Sequence, residues 1–155
     1  MIFVDKKSYA NIPEAMQEAS KSDEKARHLK VLIAEDDALN KMYLAGVIKG
    51  QGWDVELAAN GYIAIEKYAN ETFDIILMDG QMPKMDGFEA TRKIREIEVG
   101  TRKHTPIIAI TGYATPGDRD KFIQAGMDEY ITKPLNEGKL IEIILQLTKI
   151  EAKEP

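Results

Sequence analysis

In this sequence acidic residues, a lysine and a threonine stand immediately after short apolar runs. Glu35, Asp36 and Asp37 follow Val31-Leu32-Ile33-Ala34, and Asp79 follows Ile75-Ile76-Leu77-Met78. Thr111 follows Ile107-Ile108-Ala109-Ile110, and Lys133 follows the stretch from Glu129 to Thr132. Carboxylates gathered in one place repel, and at least one takes a raised pKa unless a cation joins them. Hard oxygen ligands with a partly open shell suit Mg²⁺, which keeps several waters and shares ligands with phosphate. Lys133 adds a fixed positive charge able to pair with Asp79 or with a phosphoryl oxygen, and Thr111 offers a hydroxyl to another. One carboxylate nucleophile, one Mg²⁺, one ammonium and one hydroxyl make a phosphoryl-transfer site.

For these residues to meet, the apolar runs must be neighbouring strands. Val31 to Ala34, Val55 to Ala58, Ile75 to Met78, Ile107 to Ile110 and Glu129 to Thr132 read as five strands. Amphipathic stretches separate them. Ala38 to Lys49 reads as a helix ended by Gly50 and Gly52. Asn60 caps a helix running to about Ala69, with Ile65, Tyr68 and Ala69 inward. Asp86 caps the next, whose inward residues Ala90, Ile94 and Ile97 fall at i, i+4, i+7. Thr115-Pro116 starts a fourth helix in cap-then-proline order and Gly126 ends it. Asn136 starts the last, with Leu140, Ile143, Ile144 and Leu147 on one face. Continuously apolar strands alternating with helices predict an α/β fold: a doubly wound, five-stranded parallel sheet with helices on both faces. In such sheets, sites form beyond the carboxyl ends of the strands near a switch in strand order. The residues after the strands are therefore where chemistry is expected.

Composition narrows the alternatives. Of 155 residues, 44% are hydrophobic and 30% charged, ordinary for a soluble globular protein. No apolar run approaches the ~18 residues of a membrane span, and the opening Met1 to Val4 is too short for a signal peptide. Together these predict a cytoplasmic location. The absence of cysteine excludes disulfides and thiolate chemistry. A net charge of −5 offers no footprint for nucleic acid. His28 and His104 are far apart, outside any metal-ligand spacing, and read as linker and loop residues. Trp53, beside Gly52, reads as a packing residue. Residues 1–29 read as a linker or extension, 30–149 as the ordered domain and 150–155 as a short charged tail. With no DNA-binding or enzymatic segment legible after residue 148, the chain is expected either to act alone or to be a piece of a longer protein.

Four stretches, in order, resemble the receiver domain of two-component response regulators. They are Val31-Leu32-Ile33-Ala34-Glu35-Asp36-Asp37; Asp74 through Met78-Asp79-Gly80-Gln81-Met82-Pro83-Lys84-Met85-Asp86-Gly87; Pro106 through Thr111-Gly112; and Tyr130-Ile131-Thr132-Lys133-Pro134-Leu135. The wording around Asp79 is most similar to receivers of hybrid histidine kinases. The resemblance implies a flavodoxin-like strand order 2-1-3-4-5, with Asp79 as phosphoacceptor. It implies Mg²⁺ held by Asp36, Asp37, Asp79 and the backbone carbonyl of Gln81, and Lys133 on the phosphoryl group. Thr111 is implied as the switch hydroxyl, Tyr130 as the aromatic that moves with it, and Gln81 and Tyr113 as modulators flanking the hydrolytic water. Lys133-Pro134 is expected to be cis. The implied partner is a histidine kinase or histidine phosphotransfer domain docking near Ala38, Leu39 and Met42. No nucleic acid or membrane contact is expected, and a monomer is. Gly80 and Gly112 depart from the commoner residues at their positions, which bears on phosphoryl lifetime rather than on the chemistry.

Other readings compete with these. An acidic pair alone is ordinarily a strand-end turn with a helix cap, and Tyr130 reads almost as well as a static core tyrosine. Glu35 could tune the site or lie at its edge. A Mg²⁺-dependent phosphohydrolase with an aspartyl nucleophile would want an acid at position 81, where this chain has Gln81. A flavodoxin-like cofactor binder would want a phosphate loop where Glu35-Asp36-Asp37 stands. A receiver-like module that is never phosphorylated would keep the fold without the reaction.

Overall fold

The computed structural model describes residues 28–153, and the expectations for residues 1–27 and 154–155 lie outside them. In chain order the elements are β1 (Lys30–Ala34), α1 (Ala38–Lys49), β2 (Asp54–Ala58), α2 (Gly61–Asn70) and β3 (Ile75–Asp79). Then come α3 (Gly87–Glu98), β4 (Ile107–Thr111), α4 (Asp118–Ala125), β5 (Glu129–Thr132) and α5 (Glu137–Lys153). The strands form one parallel sheet in the order β2-β1-β3-β4-β5, the order expected. Among the described residues no helix is long and apolar enough to cross a membrane.

The two-residue period of the strands sorts the core onto two faces. Leu32, Ala34, Ile76, Met78, Ile107 and Ala109 point to one face, where Ala64 of α2, Ala90 and Ile94 of α3 and Phe122 of α4 cover them. Val31, Ile33, Ile75, Leu77, Ile108 and Ile110 point to the other, under Leu44, Ala45 and Ile48 of α1 and Leu140 and Ile144 of α5. Strands β3 and β4 are buried along their whole length, which is why they read as unbroken apolar runs. Each fully buried Leu, Ile or Met contributes about 1.5–3 kcal/mol. Trp53 packs into the α1 and α5 face, and Leu29 joins it one residue ahead of the expected domain start.

Caps fix where helices begin. Asn60 Oδ1 accepts the Ile63 amide at 2.9 Å, Asp86 Oδ1 the Glu89 amide at 2.8 Å and Asn136 Oδ1 the Lys139 amide at 3.0 Å. Gly126 ends α4 with φ +103°, a left-handed cap.

Four local expectations are corrected. Ala64 is the buried alanine of α2, while Ala69 is exposed on its last turn. Ile97 is exposed because Glu98 takes the inward position at the end of α3, held there by polar partners. Thr115 does not cap α4. Asp118 accepts the Thr115 amide at 2.7 Å and donates its own amide to the Thr115 carbonyl at 3.0 Å, closing a turn around Pro116 before the helix starts at Asp118. The helix read from Asn136 runs on to Lys153, into the stretch expected to be tail.

Candidate functional site

Three strand ends deliver the central side chains. The Glu35 amide still belongs to the sheet, donating to the Ala58 carbonyl at 3.0 Å, and this aims its side chain inward. Asp79 is the last residue of β3. Its Oδ1 accepts the Gln81 amide at 3.1 Å, and the Gly80 amide donates to the Ile110 carbonyl at 3.2 Å. Helix α3 starts hard against this strand end. A Cβ on Gly87 would lie 2.2 Å from the Asp79 carbonyl oxygen, so only glycine lets the helix approach. Lys133 leaves β5 with its amide on the Thr111 carbonyl at 2.7 Å, followed by the expected cis bond to Pro134.

Carboxylate oxygens of Glu35, Asp36 and Asp79 lie within 4.8 Å of one another. Glu35 and Asp79 are buried and Asp36 is exposed, so the cluster is a pocket floor with one wall open to solvent. Lys133 Nζ stands 3.5 Å from Glu35 Oε1. Glu35 Oε2 is buried without a hydrogen-bond partner, alone in this among the described side chains. Burial, then the adjoining Glu35 carboxyl, pushes the Asp79 carboxyl up to about 7; the Gln81 amide and the Lys133 charge pull the other way and lose. An idle buried oxygen beside crowded carboxylates is the donor set of a hard divalent cation, and the residues present fit one.

The structure thus gathers Glu35, Asp36, Asp79 and Lys133. It leaves out Asp37, expected as a ligand. Asp37 Oδ2 accepts the Asn40 amide at 2.9 Å and caps α1, and the carboxylate that enters the cluster is Glu35. The signal was present: with Ala38 opening a helix, residue 37 is the cap by position, which moves the acidic pair back to Glu35-Asp36. Thr111 is buried at the end of β4, where its Oγ1 donates to the Tyr113 carbonyl at 2.9 Å and accepts the Tyr113 amide at 3.3 Å. Tyr113 is exposed, as is Gln81. Tyr130 is half-buried and stacks on Phe122 (centroids 5.1 Å, 21°), which stacks on Phe88 (5.4 Å, 15°). Sequence reasoning missed this ladder, since three aromatics spaced 34 and 8 residues apart share no period.

Beside this five-stranded parallel sheet, with its acidic floor at the ends of β1 and β3 and a lysine after β5, residues 31–145 match the family model of the response regulator receiver domain. The chain belongs to that family. As a receiver it is 42% identical, over 120 residues, to the hybrid signal transduction histidine kinase I of Dictyostelium discoideum, covering 74% of this chain and 7% of that kinase. It is 41% identical over 116 residues to the two-component response regulator ORR41 of Oryza sativa subsp. japonica, covering 72% of this chain and 88% of that regulator. The receiver therefore spans a small part of the kinase it matches and nearly all of the regulator. Among solved structures, the receiver domain of a sensor histidine kinase of Pseudomonas aeruginosa, with magnesium coordinated in its active-site cleft, is 36% identical at TM-score 0.71 (79% of this chain, 98% of that one). The receiver of the Saccharomyces cerevisiae regulator Ssk1, in complex with the histidine phosphotransfer protein Ypd1, is 28% identical at TM-score 0.74 (81% and 92%).

Proposed function

We propose that this receiver takes a phosphoryl group on Asp79 from the phosphohistidine of a histidine kinase or phosphotransfer domain, in a Mg²⁺-dependent in-line displacement. The gathering of Glu35, Asp36 and Asp79 beside Lys133, with a buried carboxylate oxygen left idle, carries the reading. Glu35, Asp36, Asp79 and the Gln81 carbonyl would hold Mg²⁺. When bound, the ion neutralises the carboxylates, returns Asp79 to its anionic form and offsets charge on the transferring group. An Asp79 oxygen attacks phosphorus, the nitrogen–phosphorus bond breaks and the imidazole of the donor leaves. Lys133 turns from Glu35 to a phosphoryl oxygen. Thr111 gives up the Tyr113 carbonyl to donate to another, freeing space that Tyr130 fills. That movement biases the surface of α4, β5 and α5 between two states. Water reverses the reaction, with the exposed side chains of Gln81 and Tyr113 flanking its approach. The donor docks on α1, where Leu39 and Met42 stand exposed at the rim.

Incubating the full chain with acetyl phosphate and Mg²⁺, followed by intact-mass measurement, tests this. A phosphate-sized gain is expected that disappears with EDTA and in Asp79→Asn. No gain in the wild type would instead mark a receiver-like module that does not react, and a gain surviving Asp79→Asn would move the acceptor elsewhere.

A further inference from the structure

The chain contains no cysteine, so methionine is its only oxidisable sulfur. The methionines of the described region fall into two classes. Met78, Met82, Met85 and Met127 are buried, two of them in the loop that follows Asp79. Met42 is 72% exposed. It lies on α1 three residues after Leu39, itself 78% exposed, and next to Tyr43, so the three share one face of the helix. That face begins at Leu39, two residues after the cap residue Asp37. It is continuous with a cleft of about 280 Å³ lined by Asn40, Tyr43, Leu44, Lys133 and Pro134. Tyr43 fixes its edge by donating to Glu137 Oε1 at 2.6 Å, tying α1 to the start of α5. An exposed thioether therefore sits on a strip of α1 that meets, at Tyr43, a cleft whose wall includes Lys133.

We propose that Met42 is a selective oxidation site through which hydroperoxides slow partner-dependent phosphorylation while leaving Asp79 reactive. The proposal rests on the reading that a phosphohistidine donor docks on α1. In the step itself, a sulfur lone pair attacks the terminal oxygen of the hydroperoxide. The oxygen–oxygen bond breaks, and the leaving oxygen takes up a proton to become water or an alcohol. Sulfur loses two electrons and becomes the sulfoxide; the peroxide gains them. A methionine sulfoxide reductase drawing on thiols reverses the change. The sulfoxide places a strong dipole where the donor would bury an apolar side chain, and a polar group buried without a partner weakens the contact. The buried methionines are shielded from the same reagent until the fold opens, so the chemistry at Asp79 is spared.

The test uses the full chain. Limited hydrogen peroxide is expected to add one oxygen at Met42 before any of Met78, Met82, Met85 or Met127, read by peptide mapping. The Met42→Leu variant isolates this site from Met1 and Met16. Phosphorylation is then followed from two donors: acetyl phosphate, which needs no docking, and a phosphohistidine-loaded phosphotransfer domain chosen for measurable transfer to the reduced chain. Oxidation should slow transfer from the protein donor about tenfold, the scale of one unpaired polar group at an apolar contact. It should leave the acetyl phosphate rate unchanged and have no effect in Met42→Leu. Equal slowing from both donors, or oxidation of Met82 or Met85 ahead of Met42, would overturn the proposal. Met42→Glu separates the two layers. If that variant accepts from the protein donor at the wild-type rate, docking on α1 fails; if it is slow while the sulfoxide is not, only the oxidation proposal fails.

Discussion

The two ends of the sheet hold buried polar clusters built on opposite rules. At the carboxyl end, the carboxylates of Glu35, Asp36 and Asp79 face the single ammonium of Lys133, and one Glu35 oxygen has no partner. At the amino end, the Glu98 and Asp128 carboxylates share Arg95 and leave no oxygen idle. Glu98 accepts from the Arg95 guanidinium at 2.6 Å, the Tyr68 hydroxyl at 2.7 Å and the Thr105 amide at 2.7 Å. Asp128 takes the other arm of Arg95 at 2.9 Å, the Ile107 amide at 2.8 Å and His104 at 2.6 Å. Burial acts on both ends, and its sign is overturned at only one. It pushes Glu98 up, but the Thr105 amide, Arg95 and Tyr68 together hold that carboxyl below its ordinary range. Asp79, with one amide and a distant ammonium against burial and Glu35, ends high. A satisfied network fixes a structure, whereas an unsatisfied one leaves binding capacity unused.

If that contrast is right, mutations at the two ends must have opposite signatures. The largest effect belongs to the amino end. Arg95→Met leaves Glu98 and Asp128 without their guanidinium and should cost ~3–5 kcal/mol of stability in urea unfolding. Folded molecules should still take phosphate from acetyl phosphate at the wild-type rate. A loss of reactivity in proportion to stability would merge the two clusters into one.

The carboxyl end should show its strain as a pH dependence. The folded value of Asp79 lies near 7, above its ordinary 3.8, so between these pH values the folded chain keeps a proton that the unfolded chain has released. Its stabilising contribution is therefore complete below about pH 4 and is lost as pH rises towards 7. Without divalent cation, Asp79→Asn should gain on the wild type across that window, with the gap widening by up to ~1.4 kcal/mol per pH unit at mid-range. Mg²⁺ should close the gap. Paired chemical denaturation at pH 5 and 8 measures this, and a gap independent of pH would place Asp79 in an unstrained setting.

A smaller change is expected from Glu35→Gln. Removing one carboxylate should bring the Asp79 value down and weaken Mg²⁺ binding about tenfold, as measured by calorimetry. Unchanged affinity, with Asp37→Ala weakened instead, would restore the acidic pair first read from the sequence. The smallest effect should come from Tyr68→Phe, which removes one of three donors to Glu98 and should cost ~1 kcal/mol with no change in Mg²⁺ binding or phosphorylation.

The sequence by itself determined the strands and which polar residues stand at their ends; their order came with the family resemblance and is the order the sheet has. Short unbroken apolar runs rich in β-branched residues, such as Ile107 to Ile110, read as buried strands, and the helices between them favour parallel crossovers. It also placed Asp79 and Lys133, because residues following such strands have one place to go. Only the tertiary structure decided which acid enters the cluster. Glu35 and Asp37 lie two positions apart along the chain, and the sheet bond of the Glu35 amide to Ala58 and the capping bond of Asp37 to Asn40 send them different ways. The same holds for the closed turn at Thr115, the inward Glu98 and the stack of Phe88, Phe122 and Tyr130. Local pattern fixes how a residue's backbone runs; which groups finally meet depends on contacts between segments distant in sequence, and no window along the chain contains those.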